Sequence, residues 1–304
     1  MRHAYLIMVH NNFEQLTTLL NLLDHENNDI FIHIDKKSSP PYDDLFDDIC
    51  KKSKVFVYQD ISVFWGTSSL MECEFFLLKK AYEVGENGGG YRYYHLLSGN
   101  DLPIKKQSYI HNFFSKHDGE EFVELTSIEN CNKEVKRRAK LYSFFLPTKK
   151  MSKLKRVLYS LLRKVLLVVQ IIFRVDRSKK DNYNIFYGGN WFSITNDCVK
   201  SLLDNQCWIK KRFSRVSCCD ELFLQTFIGN SAFRNRVFNL GKNASNLRFI
   251  DWEKSPNGKN PYIFKCSDYQ RLLYSNCLFA RKFDKTVDPI IIQKIVELVK
   301  EDRG

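Results

Sequence analysis

The N-terminal part of the chain alternates apolar runs of strand length with a segment of helical spacing. Ala4–Val9 is an apolar run, and the apolar side chains of Phe13–Leu23 then recur at helical spacing. A second apolar run, Asp29–Ile34, follows. This order predicts a βαβ unit with two adjacent parallel strands. We therefore expect His10 and Asp35, which follow the two runs, at the same edge of one sheet.

The same alternation continues toward the middle of the chain and predicts an α/β fold. Val55–Tyr58 is a short third apolar run, and Trp65–Gly66 opens a predicted helix. A fourth run, Tyr93–Leu97, precedes a helix near Gln107–Ser115. Neither a Walker-type phosphate loop nor a Gly-x-Gly-x-x-Gly motif follows the first strand. A P-loop phosphotransferase and a dinucleotide-binding enzyme of the common kind are therefore not expected.

A single acid stands where the fourth predicted strand ends. The run Tyr93–Leu97 leads directly into the turn Ser98–Ile104, which contains Asp101. Ligands of open α/β sheets bind at this carboxyl edge. Asp101 and Asp35 either line such a site or cap their own turns through backbone amides. Because Asp101 has no second acid beside it, we expect no metal ion to be held there.

Charge and cysteine usage limit the class of protein. The formal net charge is +12, which calls for an anionic partner such as a nucleic acid, a membrane surface or a phosphorylated substrate. The nine cysteines include no Cys-x-x-Cys pair, so we expect reduced thiols and no zinc site. Met1–His10 is typical of a first strand, not of a signal peptide. No run reaches the roughly 20 apolar residues of a membrane span. These features predict a cytoplasmic protein.

The segment Lys149–Lys180 differs in kind from the rest of the chain. Basic residues flank Val157–Val175, which is mostly apolar but contains Arg163 and Lys164. Such a helix could lie on an anionic membrane surface. It could equally be a helix packed in the core, with basic ends in solvent. The sequence leaves both interpretations open.

Acidic and basic residues late in the chain could carry chemistry. Asp220 and Glu221 begin a predicted helix, where acids often only stabilise the helix dipole. The functional alternative is a carboxylate base that removes a proton from an attacking hydroxyl. Lys259, Arg281 and Lys282 are either solvated cations or a clamp for a diphosphate that replaces a metal ion.

Taken in order, these segments resemble the core-2/I-branching β-1,6-N-acetylglucosaminyltransferase family, which also contains the peptide O-xylosyltransferases. The resemblance spans nearly the whole chain except for 149–180. The matching stretches are Ala4–His10, Phe31–Ser38, Phe64–Leu78, Tyr94–Lys105, Gly188–Thr195, Cys219–Thr226 and Leu278–Asp284.

The resemblance implies a GT-A-type fold with a Rossmann-like mixed sheet flanked by helices. It implies one glycosyltransferase domain over 1–304, with a nucleotide-binding half (1–120) and an acceptor-binding, catalytic half (121–304). It also implies an inverting reaction that needs no metal or other cofactor. The expected donor is UDP-GlcNAc, with UDP-xylose or another UDP-sugar left open. The expected acceptor is a hydroxyl of a glycan, free or lipid-linked.

The same resemblance assigns roles to individual residues. Glu221 would be the catalytic base, in a segment similar to the family's Ser-Pro-Asp-Glu. The UDP contacts would be Val9, His10, Asp35, Lys259, Arg281 and Lys282. The sugar or acceptor contacts would be Asp101, Asp220, Asn190, Trp191 and Trp252.

The chain departs from the family in several places. Cys218–Cys219 replaces Ser-Pro before the acidic pair, and Ser62 stands where an aromatic residue is expected to stack on uracil. Phe64 or Tyr58 could substitute for that ring. The family's acceptor contacts match only loosely. They would fall among Glu121, Glu124, Arg137 and Lys140. The membrane anchor and disulfides of the luminal animal enzymes have no counterpart here, which suggests a bacterial-type enzyme of surface-polysaccharide synthesis.

Two other classes of function fit parts of the sequence. A nucleic-acid-binding protein would use 149–180, but interleaved aromatic residues and a recognition motif are missing. A non-catalytic module that binds a glycan or a membrane would keep the fold and lose the activity. Retention of Asp220, Glu221, Lys259 and Lys282 argues against that interpretation.

Overall fold

A mixed five-stranded sheet forms the centre of the molecule. The computed structural model describes residues 1–40, 46, 48–144, 152–180, 182–242, 244–256, 258 and 260–300. The described strands are β1 (His3–Val9), β2 (Asn28–Ile34), β3 (Lys54–Tyr58), β4 (Tyr93–Ser98), β5 (Leu102–Pro103), β6 (Thr126–Ser127), β7 (Phe186–Tyr187), β8 (Ser193–Thr195), β9 (Arg248–Ile250) and β10 (Phe279–Arg281).

Helices cover both faces of this sheet. The described α-helices are α1 (Phe13–Leu23), α2 (Ser68–Glu86), α3 (Gln107–Lys116), α4 (Lys133–Lys140), α5 (Lys153–Ile172), α6 (Asn196–Asp204), α7 (Gln206–Phe213), α8 (Phe223–Gly229), α9 (Tyr269–Leu273) and α10 (Pro289–Val299).

The strand order of the central sheet is β3-β2-β1-β4-β8. The first four strands are parallel, and β8 is antiparallel to β4. Because β8 comes from the second predicted half of the chain, the two halves share one sheet. The predicted fold class, a GT-A-type α/β architecture with a Rossmann-like mixed sheet flanked by helices, is confirmed by this topology. The division of function between 1–120 and 121–304 stays a prediction.

Alternating side chains of the central strands enter two separate cores. Leu6, Phe31 and Leu96 face α2 on one side of the sheet. Tyr5 and Ile32 face α1 and α10 on the other side. Both faces are covered, so these strands are nearly continuous apolar runs, as is usual for parallel sheets.

A second sheet extends the carboxyl edge of the first. Its order is β5-β10-β9, and β10 is antiparallel to β5 and parallel to β9. Strand β5 follows the Asp101 turn directly, so β10 delivers Arg281 to the same edge as the end of β4. The register pairs Arg281 with Ile250.

Two predicted helix positions are revised by the structure. The helix expected to open at Trp65–Gly66 begins at Ser68, because Gly66 has a φ of 75° and Thr67 caps the helix through its side chain. In α5 only Gln170 is buried. The interpretation of 149–180 as a core-packed helix is therefore wrong for the described part of that segment.

Candidate active site

Strands β1 and β2 bring the first group of predicted site residues together. Val9 pairs with Ile34 in the parallel register, and the Asp35 N–H donates to the Val9 carbonyl at 2.8 Å. Val9 and Asp35 are buried, whereas His10 is exposed beside them. The predicted meeting of His10 and Asp35 at one edge of the sheet is confirmed.

Asp35 is held as a carboxylate by its surroundings. The Lys37 side chain lies 2.5 Å from Asp35 Oδ2, and the Lys37 and Val63 backbone N–H groups donate to Oδ1 at 3.0 and 3.3 Å. Burial alone would raise the pKa of Asp35. The hydrogen bonds and the Lys37 charge outweigh burial and lower that pKa. Lys37 was not among the predicted site residues, although it stands two positions after Asp35.

The two aromatic candidates for stacking on a base differ in position. The Lys37 Nζ lies 4.3 Å from the centre of the Phe64 ring, so Phe64 is next to the Asp35 pair. Tyr58 packs edge-on against Phe76, with ring centres 5.3 Å apart. Phe64 is therefore the better placed of the two rings.

Asp101 forms a second polar centre at this edge, at the end of β4. It is buried and accepts from the Ser98 N–H at 2.8 Å and the Ser98 hydroxyl at 2.9 Å. These bonds match the turn-capping alternative. The carboxylate also faces the Arg281 guanidinium, with Nη1 and Oδ1 3.5 Å apart. Asp101 thus both caps its turn and pairs with a cation.

Arg281 lies between Asp101 and an aromatic ring. Its guanidinium carbon is 4.0 Å from the centre of the Trp191 ring, and its side chain is only 14% exposed. Burial lowers the pKa of Arg281 and Asp101 opposes that shift. The buried Nε has no hydrogen-bond partner among the residues that the structure describes. A guanidinium with an unused donor is suited to an anionic ligand.

Of the two remaining predicted UDP contacts, Lys282 directly follows Arg281 in the chain. The backbone of Lys282 is fixed by bonds to Tyr262 and Phe264, and its side chain is half-buried. Lys259 lies outside the described residues. Trp252, which is 53% exposed, follows β9 two positions after the residue paired with Arg281.

Glu221 belongs to a third polar centre, which is connected to α4. Its Oε2 accepts from Arg138 Nη1 at 2.9 Å, and the other terminal nitrogen of Arg138 donates to Glu134 at 2.9 Å. Burial raises the pKa of Glu221, and the ion pair with Arg138 opposes that rise. Arg138 was not predicted. Its spacing of four residues from Glu134 was the available signal.

Asp220 is buried in the interior, whereas its neighbour Glu221 is partly exposed. Asp220 is 7% exposed, and its Oδ1 is buried without a hydrogen-bond partner among the described residues. Burial and the neighbouring Glu221 raise the pKa of Asp220 to about 7. The fully buried Glu74 has a raised pKa from its own burial and from Asp220. Asp220 therefore interacts with Glu74, and its predicted sugar contact stays a prediction.

The segment 188–191 joins the Glu221 centre to the Arg281 centre. The Gly188 N–H donates to the Glu221 carbonyl at 3.1 Å, and the Gly189 N–H donates to Glu124 Oε2 at 2.9 Å. A Cβ atom on Gly188 would lie 2.1 Å from the Glu124 carbonyl oxygen, so only glycine fits. The half-buried Asn190 follows, and then Trp191 beneath Arg281.

The four loosely matched acceptor contacts differ in how accessible they are. Glu121 is fully buried and accepts from Thr195 at 2.6 and 2.8 Å, so its prediction as an acceptor contact is wrong. Glu124 and the exposed Arg137 remain accessible. Lys140 lies 3.6 Å from Asp176 in an ion pair.

Chemically, the edge provides two buried carboxylates, a guanidinium with a spare donor and a third, more basic carboxylate. Among the described residues, no three His, Cys, Asp or Glu side chains converge as a metal site would require. The cationic side chains at the described edge, Arg281 and Lys282, could bind an anion.

Proteins named as glycosyltransferases are similar to this chain over nearly its whole length. Xylosyltransferase 2 of Mus musculus is 22% identical over 96% of the chain. The beta-glucuronosyltransferase GlcAT14B of Arabidopsis thaliana is 26% identical over 100% of the chain. The chain spans 33% of the length of the first protein and 67% of the second.

Solved structures of glycosyltransferases are more distantly similar. The galactosyltransferase LgtC has a TM-score of 0.41 at 7% identity, covering 99% of this chain and 98% of that chain. Mouse xyloside xylosyltransferase 1 has a TM-score of 0.38 at 9% identity, covering 92% of this chain and 97% of that chain. Neither value supports a conclusion about activity.

A family model matches most of the chain. The model described as "Core-2/I-Branching enzyme" matches residues 3–273, a region that holds Asp35, Asp101 and Glu221 and ends before Arg281. The chain belongs to the Core-2/I-Branching enzyme family.

Proposed function

We propose that this protein is an inverting glycosyltransferase that moves a sugar from a UDP-sugar to a hydroxyl of a glycan acceptor without a metal ion. One observation carries the proposal. A buried guanidinium with an unused donor, that of Arg281, stands at the carboxyl edge of the sheet, where α/β proteins bind nucleotides. Family membership and the names of the similar proteins support the same class of reaction.

The donor would bind along the edge formed by β1, β2 and β4. Asp35 would accept from the uridine, and Phe64 would lie against the base. Arg281 and Lys282 would neutralise the diphosphate, together with Lys259. Such cations stabilise the charge that develops on the leaving UDP, as a metal ion does in other enzymes.

Glu221 would act as the general base. The acceptor oxygen attacks the anomeric carbon from the face opposite UDP, its proton passes to Glu221, and the bond to the diphosphate breaks. A carboxylate whose pKa is raised by burial is a better base near neutral pH than an ordinary one. Arg138 would position the carboxylate through its bond to Oε2.

Our proposal for the transferred sugar rests on the family resemblance alone. UDP-GlcNAc is our proposed donor, and UDP-xylose and UDP-glucuronate are the alternatives suggested by the names of the similar proteins. We further propose a bacterial-type role in surface-polysaccharide synthesis on the cytoplasmic side. The nine cysteines are odd in number and scattered along the chain, which supports a reducing compartment such as the cytoplasm.

The test is a thermal-shift screen of UDP-sugars in the presence of EDTA, because a ligand that binds only the folded state raises the melting temperature. We expect UDP and one UDP-sugar to raise it equally with and without EDTA. CDP and GDP serve as controls and should shift it less. A shift that requires a divalent cation would contradict the metal-independent part, and no shift with any UDP-sugar would contradict the whole proposal.

A further inference from the structure

The outward side of α5 is a continuous apolar face. At about 100° per residue, the outward positions from Leu154 to Ile172 fall within an arc of about 140°. Every residue in that arc is leucine, valine or isoleucine. The side chains are exposed, with Leu154 at 81% and Leu161 at 57%. An exposed apolar area of this length marks an interaction surface.

Polar contacts hold the opposite side of α5 against the protein. Gln170 accepts from the Tyr142 N–H at 2.8 Å and donates to the Tyr142 carbonyl at 3.2 Å. The Arg177 guanidinium, just after the helix, lies 4.2 Å from the centre of the Tyr142 ring. These contacts fix the rotation of the helix, so the apolar face is turned away from the core.

The charges around the apolar face indicate which kind of partner would bind there. Lys153–Ile172 contains five basic residues and no acid. At about 100° per residue, Lys153 and Lys164 flank the apolar face on one side and Lys155 flanks it on the other. A second copy of this helix would bring lysines against lysines, whereas an anionic surface would attract them. This arrangement is typical of helices that lie in the headgroup region of a membrane.

We propose that the outer face of α5 docks in the headgroup region of an anionic phospholipid bilayer. The helix lies parallel to the surface, with its leucines and valines below the phosphates and its lysines at their level. No described helix has the length and apolar character needed to cross a bilayer. The proposed attachment is peripheral.

If the proposed glycosyltransferase function holds, docking in this orientation would bring the bilayer close to the place where the acceptor reaches the base. A cavity of about 320 Å³ lies between α4 and α5, lined by Leu166 and Leu167 from α5 and by the 82% exposed Trp65. Arg138 lines the same cavity and binds Glu221. A bilayer against α5 would thus lie next to the path to the base, which suits an acceptor glycan carried on a lipid.

The test is co-sedimentation of the full chain with vesicles in the absence of nucleotide. One vesicle type is phosphatidylcholine alone, and the other contains about one third phosphatidylglycerol. The test variant is Leu161→Glu with Val165→Glu. The matched control is Ile290→Glu with Val287→Glu, which adds the same charge at similarly exposed apolar positions. Unchanged melting temperatures and UDP affinities show that both variants are folded.

We expect the wild type to bind the anionic vesicles at least about tenfold more tightly than the neutral ones, with a loss of binding at high salt. The test variant should bind at least about tenfold more weakly, and the control variant should bind as the wild type does. Equal binding of the test variant and the wild type, or no binding by the wild type, would overturn the docking proposal. A dimer in sedimentation equilibrium that the test variant abolishes would also overturn it, in favour of a second copy.

The docking proposal and the glycosyltransferase proposal fail in distinguishable ways. If Glu221→Gln binds vesicles as the wild type does, vesicle binding is independent of catalysis. Vesicle binding without any UDP-sugar binding would overturn the proposed function and leave the docking in place. UDP-sugar binding without vesicle binding would overturn the docking proposal and leave the proposed function in place.

Discussion

Arg281 is the residue on which anion binding at the sheet edge most depends. Hydrogen bonds to charged groups contribute about 1.5–3 kcal/mol each, so we expect Arg281→Ala to weaken UDP binding by about 10- to 100-fold. Isothermal titration in EDTA measures this change. Lys116→Ala, which removes an exposed charge at the end of α3, should bind UDP as the wild type does. Wild-type affinity in Arg281→Ala would rule out its role in binding the diphosphate.

Asp220 is expected to make stability depend on pH. Its pKa is about 7 in the folded protein against an ordinary value of 3.8, so the folded state holds a proton that the unfolded state releases. The free energy of unfolding therefore falls as pH rises between about 4 and 7 and is lowest above that range. The buried Glu121, with a pKa raised to about 7 by burial, contributes in the same direction.

Asp220→Asn should remove one part of this dependence. We expect the fall in unfolding free energy between about pH 4 and pH 8 to be smaller in this variant than in the wild type, by about 2–4 kcal/mol. Urea unfolding at the two pH values measures it. Asp204→Asn, at an exposed position in α6, should keep the wild-type dependence. An identical pH dependence in Asp220→Asn and the wild type would mean that Asp220 is ionised in the folded protein.

The sequence indicated which residues face the carboxyl edge better than it indicated their partners. Asp35 and Asp101 were predictable because each directly follows an apolar run. Arg138 and Glu74 were not, since each meets its partner from a helix far away in the chain. Asp220 is buried and its neighbour Glu221 is partly exposed, and no sequence pattern distinguishes them.

At the scale of elements, the turn 188–191 connects the two chemical centres. Gly188→Ala would place a Cβ atom 2.1 Å from the Glu124 carbonyl oxygen, so the turn must move. We expect a loss of stability of about 1–3 kcal/mol and weaker UDP binding, because Trp191 beneath Arg281 moves with the turn. Urea unfolding and titration calorimetry measure the two effects.

Gly88→Ala is the matched control for that turn. Its added Cβ would meet the flexible end of Arg2 at 3.2 Å and the Val84 carbonyl oxygen at an ordinary 3.5 Å, and Gly88 lies beside Arg2 at the opposite end of β1 from the candidate site. We expect wild-type UDP affinity in this variant. Equal effects of the two glycine substitutions would show that 188–191 has no special connection to the site.

The sequence predicted the bounds and packing of some helices better than those of others. Helix α1 has the bounds that its apolar spacing predicted, because a single apolar face meets the sheet along its whole length. The start of α2 was misplaced because Gly66 and Thr67 determine the cap locally. The packing of α5 was left open by the sequence, since periodicity reveals an apolar face but not what covers it.

At the scale of the whole molecule, long-range pairing completes the site. The parallel order of β1 and β2 follows from the βαβ pattern, whereas the pairing of β10 with β5 joins residues more than 170 positions apart. No local pattern specifies such a contact. The family resemblance supplied it instead, by assigning Arg281 and Lys282 to the same site as Asp35 and Asp101.

The central claim is that a nucleotide site at the sheet edge and the base Glu221 act on one bound UDP-sugar. The most direct measurement compares Glu221→Gln with the wild type in UDP release from the UDP-sugar that binds, with water or a glycan as acceptor. We predict a rate lower by about 10²- to 10⁴-fold and a UDP affinity within a few-fold of the wild type. An unchanged rate of UDP release in Glu221→Gln would contradict the claim.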